Sequence, residues 1–177
     1  MLDYAYFHKE KLKRTWAKAA RDPRFQFIRS GSCTDLDFYI KDNTWSTLRC
    51  LSLSNKGEAV GWFEVSVSRE TYDAHSMRII NMLGHTNITF ANDMKEFFRR
   101  LFLVWNFKKV KFAVAVGNPA EAMYDKFVAG YGGRVVGVNY RDIRLSDGKL
   151  YDMKLYEILR EDCLNAVGMS DVTVVVK

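Results

Sequence analysis

Apolar positions along this chain change their spacing several times, and each change marks a new element. Phe7, Leu12, Trp16 and Ala19/Ala20 recur at a ragged helical spacing, which predicts a helix over residues 5 to 20 that Asp22-Pro23 stops. Residues 25 to 44 mix apolar and polar positions without a period. Leu48 to Leu53 then leads through Asn55-Lys56-Gly57-Glu58 into Ala59 to Ser68, a predicted hairpin. In its returning strand Phe63, Val65 and Val67 alternate with Trp62, Glu64, Ser66 and Ser68, the period of a strand buried on one face. A further strand is expected at His75 to Met82. Met94, Phe97, Phe98, Leu101, Phe102 and Trp105 fall on one stripe, so residues 88 to 105 read as a helix. Val110, Phe112, Val114 and Val116 with Ala113 and Ala115 between them predict a strand buried on both faces.

The next predicted helix has clear boundaries. Asn118 suits a cap, Pro119 a first turn, and Glu121 the free N–H groups there. Met123, Phe127 and Tyr131, with Ala120 or Tyr124 beside them, form its apolar stripe, and Gly130, Gly132 and Gly133 end it. Two strands follow at Val135 to Leu145 and Lys149 to Leu159, joined by the turn Ser146-Asp147-Gly148. The tail, 162–177, ends in Val172-Thr173-Val174-Val175-Val176. An apolar strand there must pair within the chain or with a second subunit, which leaves a homodimer open. The sum is an α/β protein with a mixed, mostly antiparallel central sheet and helices on both faces. No repeat or linker divides it, so residues 1–177 are expected to form a single domain.

Composition narrows the function classes. The 177 residues are 48% hydrophobic and 14% aromatic, as an ordered globular domain requires. No apolar run is long enough to cross a membrane, and the start lacks a signal-peptide layout. Three cysteines (Cys33, Cys50, Cys163) without a Cys-x-x-Cys read as free thiols in a reducing cytoplasm. His8, His75 and His85 show no ligand spacing, so no metal site is predicted. The net charge of +6 favours an anionic partner. Lys11, Lys13 and Arg14 beside Trp16 are compatible with a nucleic acid, although a solvated helix face is the simpler reading.

The segment from Asn118 to Phe127 reads Asn-Pro-Ala-Glu-Ala-Met-Tyr-Asp-Lys-Phe after an apolar strand and before a glycine cluster. It resembles the strand-to-helix turn of the GNAT superfamily of N-acetyltransferases. Downstream, Asp147-Gly148 and Asp152 followed by Tyr156-Glu157-Ile158 resemble that family's terminal pattern. The resemblance covers roughly residues 46–160 and leaves 1–45 as a variable N-terminal region. It implies a GNAT-like fold in which two central strands, here His75–Met82 and Lys109–Gly117, splay apart. The pantetheine arm of acetyl-CoA would lie between them, along the backbone of Ile79, Ile80, Asn81 and Met82. The implied activity is acetyl transfer from acetyl-CoA to an amine by direct attack. In this reading Asn118 bonds the cofactor arm and Tyr124 protonates the departing sulfur, as a phenol that stays neutral at pH 7 can.

The chain departs from the family at one point. Where Arg/Gln-x-x-Gly-x-Gly/Ala usually wraps the pyrophosphate, it has Leu83-Gly84-His85-Thr86-Asn87-Ile88-Thr89-Phe90. Gly84, Thr86 and Asn87 are therefore the expected phosphate contacts, with Lys95, Arg99 or Lys108 as nearby cations. Glu64, on the polar face of its strand, is the first candidate for the base that frees the amine, and His75 the second. The missing glycine motif also motivates another reading: a degenerate GNAT-like fold that binds protein or nucleic acid.

Overall fold

The computed structural model describes residues 1–19, 22–25, 27, 45–145 and 147–168. Cys33, Ser146 and the valine-rich end of the tail lie outside the described residues. Along the chain run β1 (Leu2–Tyr4), α1 (Lys9–Ala19), β2 (Thr47–Leu53), β3 (Ala59–Ser68), β4 (Asp73–Asn81) and α2 (Ile88–Arg99). They are followed by β5 (Lys109–Ala115), α3 (Glu121–Gly130), β6 (Arg134–Arg144), β7 (Leu150–Leu159) and α4 (Arg160–Ala166). The strands form one sheet in the order β1-β2-β3-β4-β5-β7-β6. Every neighbouring pair is antiparallel except β4 and β5. That pair is parallel because the α2 crossover, rather than a hairpin, connects it.

Both faces of the sheet carry helices. On one, Phe97 and Phe98 of α2, Tyr124, Phe127 and Val128 of α3, and Cys163 of α4 pack on Phe63, Val65, Val110, Phe112 and Val114. On the other, Leu12 and Trp16 of α1 pack on Leu51, Leu53, Trp62, Ile80 and Met82. The aromatic rings carry much of this packing: Phe98 lies 4.6 Å from Phe127, and Phe112 stacks on Tyr156 at 5.0 Å. Gly132 ends α3 at φ +69°, and a Cβ there would stand 2.6 Å from the Asp162 carbonyl oxygen.

Four details of the apolar pattern are corrected. Phe7 is 70% exposed, because residues 5–8 form a 3₁₀ turn that breaks its register with Leu12 and Trp16. Trp62, placed on a polar face by alternation, is buried beneath α1 with its ring 6.1 Å from Trp16. In α3 the buried stripe is Tyr124, Phe127 and Val128, while Met123 is 39% exposed. The helix begins at Glu121, two residues later than Pro119 suggests, and the stripe turns with it. Strand β5 is fully buried on one face, at Val110, Phe112 and Val114; on the other, Lys109, Lys111 and Ala113 are only partly covered and Ala115 alone is buried.

Candidate active site

Strands β4 and β5 begin as neighbours and then separate. They pair at Asp73–Lys109, Ala74–Val110 and Met77–Phe112, and beyond that no ladder joins them. Each is held by its other neighbour instead: Ile79 to Asn81 pair with β3, and Ala113 to Ala115 with β7. The separation starts at a bulge on β4, where the β3–β4 register shifts between Glu64 and Ser66. Ser76 sits in this bulge at φ +51°, a left-handed conformation that a non-glycine residue adopts only where its surroundings enforce it. The result is a wedge-shaped gap whose β4 side presents backbone groups that have lost a strand neighbour.

Tyr124 reaches across this gap. Its hydroxyl donates to the Ile79 carbonyl oxygen of β4 at 3.5 Å, and its ring packs edge-on against Phe112 at 5.6 Å. Burial, with Tyr156 nearby, holds the phenol well above its ordinary range, so it stays protonated at neutral pH. Asn118 organises the turn before it. Its Oδ1 accepts the Ala120 N–H at 2.9 Å and its carbonyl accepts the Glu121 N–H, so it closes the turn that leads into α3 from three residues before the helix begins.

On β4, Ile79 is half-buried toward α2 and α3, whereas the side chains of Ile80 and Met82 belong to the core under α1. Asn81 pins the following loop: its Oδ1 accepts the Leu83 N–H at 2.9 Å and its Nδ2 donates to the His85 carbonyl at 2.8 Å. Gly84 turns that loop at φ +70°, Thr86 is exposed, and Asn87 caps α2 by accepting the Phe90 N–H at 2.9 Å. A positive charge reaches this loop from far upstream: a Cβ on Gly84 would lie 3.5 Å from the Arg24 guanidinium. Nothing in the sequence links Arg24 to Gly84, since their proximity exists only in the fold. Its guanidinium is forked onto Asp22, with the shortest contact 2.6 Å. Of the cations read from the sequence, Arg99 is bound to Glu96 at 2.6 Å and Lys108 lies over the Tyr72 ring at 5.7 Å.

The two base candidates fall in different surroundings. Glu64 lies on the sheet face opposite Phe63 and Tyr124, and its Oε2 accepts from Arg49 Nε at 2.7 Å. Its Oε1 stands 3.9 Å from Arg78. His75 lines a cleft of about 630 Å³ that opens at the start of the gap, with Asp73, Ser76, Lys111, Ala113 and Val136. Its Nδ1 is 3.2 Å from Ser76 Oγ, and Asp73 is paired with Lys111 at 2.8 Å. Lys111 and Ala113 are among the partly covered residues of β5, so the cleft approaches the gap on the α1 face, away from the residues that α1 packs against.

Among the described residues, no three His, Cys, Asp or Glu side chains converge as metal ligands. No described helix is long and apolar enough to cross a membrane. Burial pushes the thiols of Cys50 and Cys163 up to about 12 and about 11. Trp16 is buried and Lys11 donates to the Gly57 carbonyl, so neither is presented to a nucleic acid on the face of α1.

No family model matches this chain, and no curated protein matches it either. Among solved structures its fold is similar to that of spermidine/spermine N-acetyltransferase SpeG from Vibrio cholerae. A structure of that protein in complex with manganese ions has a TM-score of 0.60 at 22% identity, over 70% of this chain and 71% of the other. A phenylalanine-to-alanine mutant of SpeG gives 0.61 at 22% identity over 71% and 72% of the two chains. Glutamate-to-glutamine mutant forms of the same enzyme give 0.60 at 24% over 70% and 72%. The chain thus has the fold of GNAT N-acetyltransferases, as the Asn118–Phe127 turn implied.

Proposed function

We infer that this protein is an N-acyltransferase that moves an acetyl group from acetyl-CoA to an amine by direct attack. The observation that carries the reading is the opened β4–β5 gap with the Tyr124 hydroxyl aimed at β4 backbone. An extended pantetheine arm pairs with such backbone as an added strand does, which asks little of particular side chains. The described residues fit the donor: β4 from Ile79 to Met82 offers the backbone edge, Asn118 stands at the far strand's end, and Gly84, Thr86 and Asn87 precede the α2 N-terminus. Arg24 supplies the charge that the loop itself lacks.

The chemistry follows from the two sides of the gap. An amine entering through the His75 cleft attacks the thioester carbonyl carbon. A backbone N–H of β4 stabilises the oxygen that gains charge. Collapse breaks the carbon–sulfur bond, and Tyr124 gives its proton to the departing thiolate before regaining one from solvent. The amine's proton passes to His75, which lines the cleft. Glu64, the first candidate, is less suited to that step, because one of its oxygens is committed to Arg49 and the other stands 3.9 Å from Arg78. The acceptor is an amine small or extended enough to reach the start of the gap from this cleft. Spermidine, which SpeG's name gives as its acceptor, is the first compound to try.

The test is steady-state acetyl-CoA consumption with a panel of amines, for the wild type and Tyr124→Phe. Loss of the phenol proton lowers kcat by about 10²-fold or more, the usual worth of a positioned general acid. Transfer at an unchanged rate and pH profile in Tyr124→Phe would remove that residue from the mechanism.

A further inference from the structure

Four side chains behind the Asn118–Tyr124 turn form a polar network that the proposed chemistry does not use. Lys154 of β7 pairs with Val114 of β5, and paired residues share a face, so Lys154 rises on the side covered by α3. Its ammonium donates to Glu121 Oε1 at 3.2 Å and to Asp125 Oδ2 at 2.9 Å, one helical turn apart on α3. The second oxygen of Glu121 accepts the Gly117 N–H at 3.1 Å, inside the turn that leads out of β5. Oδ1 of Asp125 accepts the Tyr156 hydroxyl at 2.9 Å. Tyr156 is 1% exposed, stacks on Phe112 and lies 6.5 Å from the Tyr124 ring.

Each link bears on where Tyr124 stands. Phe112 and Tyr156 are the rings that Tyr124 rests against, and Asp125 is its neighbour on α3. Glu121 and Asp125 lie four residues apart, where two like charges repel unless a cation stands between them. Lys154 is that cation, and its hydrogen bond to Asp125 holds it charged far above the usual lysine range. The carboxyl of Asp125 is correspondingly lowered, first by Lys154 and then by Tyr156.

The geometry points to Lys154 as a positioning residue: through Glu121, Asp125 and Tyr156 it fixes the first turns of α3, and so the Tyr124 hydroxyl, against the β4–β5 gap. This role rests on the acyl-transfer reading of that gap. Lys154 touches no reacting atom; it acts through the two carboxylates. A misplacement of Tyr124 by an ångström is enough to slow proton transfer while leaving the pantetheine contacts on β4 intact.

Two variants and two readouts test this. Lys154→Met keeps the apolar stem and removes the charge, whereas Lys154→Arg keeps donors for both carboxylates. The expected result is a fall of about tenfold in kcat for Lys154→Met with the KM for acetyl-CoA unchanged, and recovery in Lys154→Arg. In the protein without ligand, NMR of tyrosines carrying ¹³C at Cζ reports Tyr124 directly, with Tyr124→Phe to assign its signal. That signal is expected to move in Lys154→Met and return in Lys154→Arg. An unmoved Tyr124 signal overturns the positioning role whatever the activity, as does a wild-type kcat in Lys154→Met. A moved signal in a protein that transfers no acetyl group upholds the contact and overturns the acyl-transfer reading instead.

Discussion

Two turns lead from the separated strands into helices, and they assemble their chemistry in different ways. The turn after β5 is built locally: Asn118, Glu121 and Tyr124 lie within seven positions of one another. Asn118 and Glu121 accept the Ala120 and Gly117 N–H groups inside the turn, while Tyr124 and Glu121 also reach Ile79 and Lys154. The loop after β4 carries its own cap, Asn87, but the cation beside Gly84 is Arg24, which arrives from the far side of a long connection. A local motif keeps its spacing and can be read from the sequence. A side chain that arrives from a distant segment, as Arg24 does beside Gly84, leaves no spacing to read.

The comparison can be broken at the dispersed turn. Arg24→Ala is expected to weaken acetyl-CoA binding by about tenfold, the low end for a hydrogen bond to a charged group. The loss should shrink as salt is raised, because an exposed charge is screened. Calorimetric titration at two ionic strengths reads both effects, and an unchanged affinity would mean that the loop's N–H groups act without Arg24.

A smaller effect separates the two asparagines. Asn87→Ala and Asn118→Ala each remove a side-chain acceptor at a helix entry, a loss of about 1 kcal/mol. Each should therefore lower the melting temperature by about 2–4 °C. Only Asn118→Ala should also reduce kcat, since its turn carries Tyr124. Equal kinetic losses in both would show that the two turns act as one unit.

The smallest expected change is in the pH profile. Tyr124 must be protonated to donate, and burial raises its pKa, so its alkaline limb should lie above the ordinary phenol value of about 10. A decline in kcat below that value which disappears in Tyr124→Phe would place the ring in water rather than in the gap.

Period and spacing revealed the β2–β3 hairpin, the α2 stripe and the β6–β7 pair, because each is fixed by contacts among near neighbours. The same reasoning misplaced Trp62, whose cover is α1, and Met123, whose face depends on where α3 starts. It also took β5 as buried on both sides, since an alanine between apolar neighbours looks the same in a core as beside a cleft, where Ala113 lies. Within the site, Asn118 and Tyr124 were legible as a motif. Arg24 and Lys154 were not: each is an ordinary surface-type cation in sequence and gains its place only when distant strands and turns meet. His75 was read from the sequence as the second candidate base, and the cleft it lines beside Ser76, which sets its surroundings apart from those of Glu64, left no trace in the sequence.

The most direct test is a thermal-shift titration of the wild type with acetyl-CoA, with free CoA and ATP as controls. A ligand at 100 times its dissociation constant adds about 2.7 kcal/mol, or roughly 5–10 °C for a domain of this size. A saturable rise with acetyl-CoA and free CoA, and little with ATP, is what an open β4–β5 gap with a completed phosphate loop predicts. No rise with either CoA species at millimolar concentration would contradict the account, and would mean that this fold holds something other than an acyl donor.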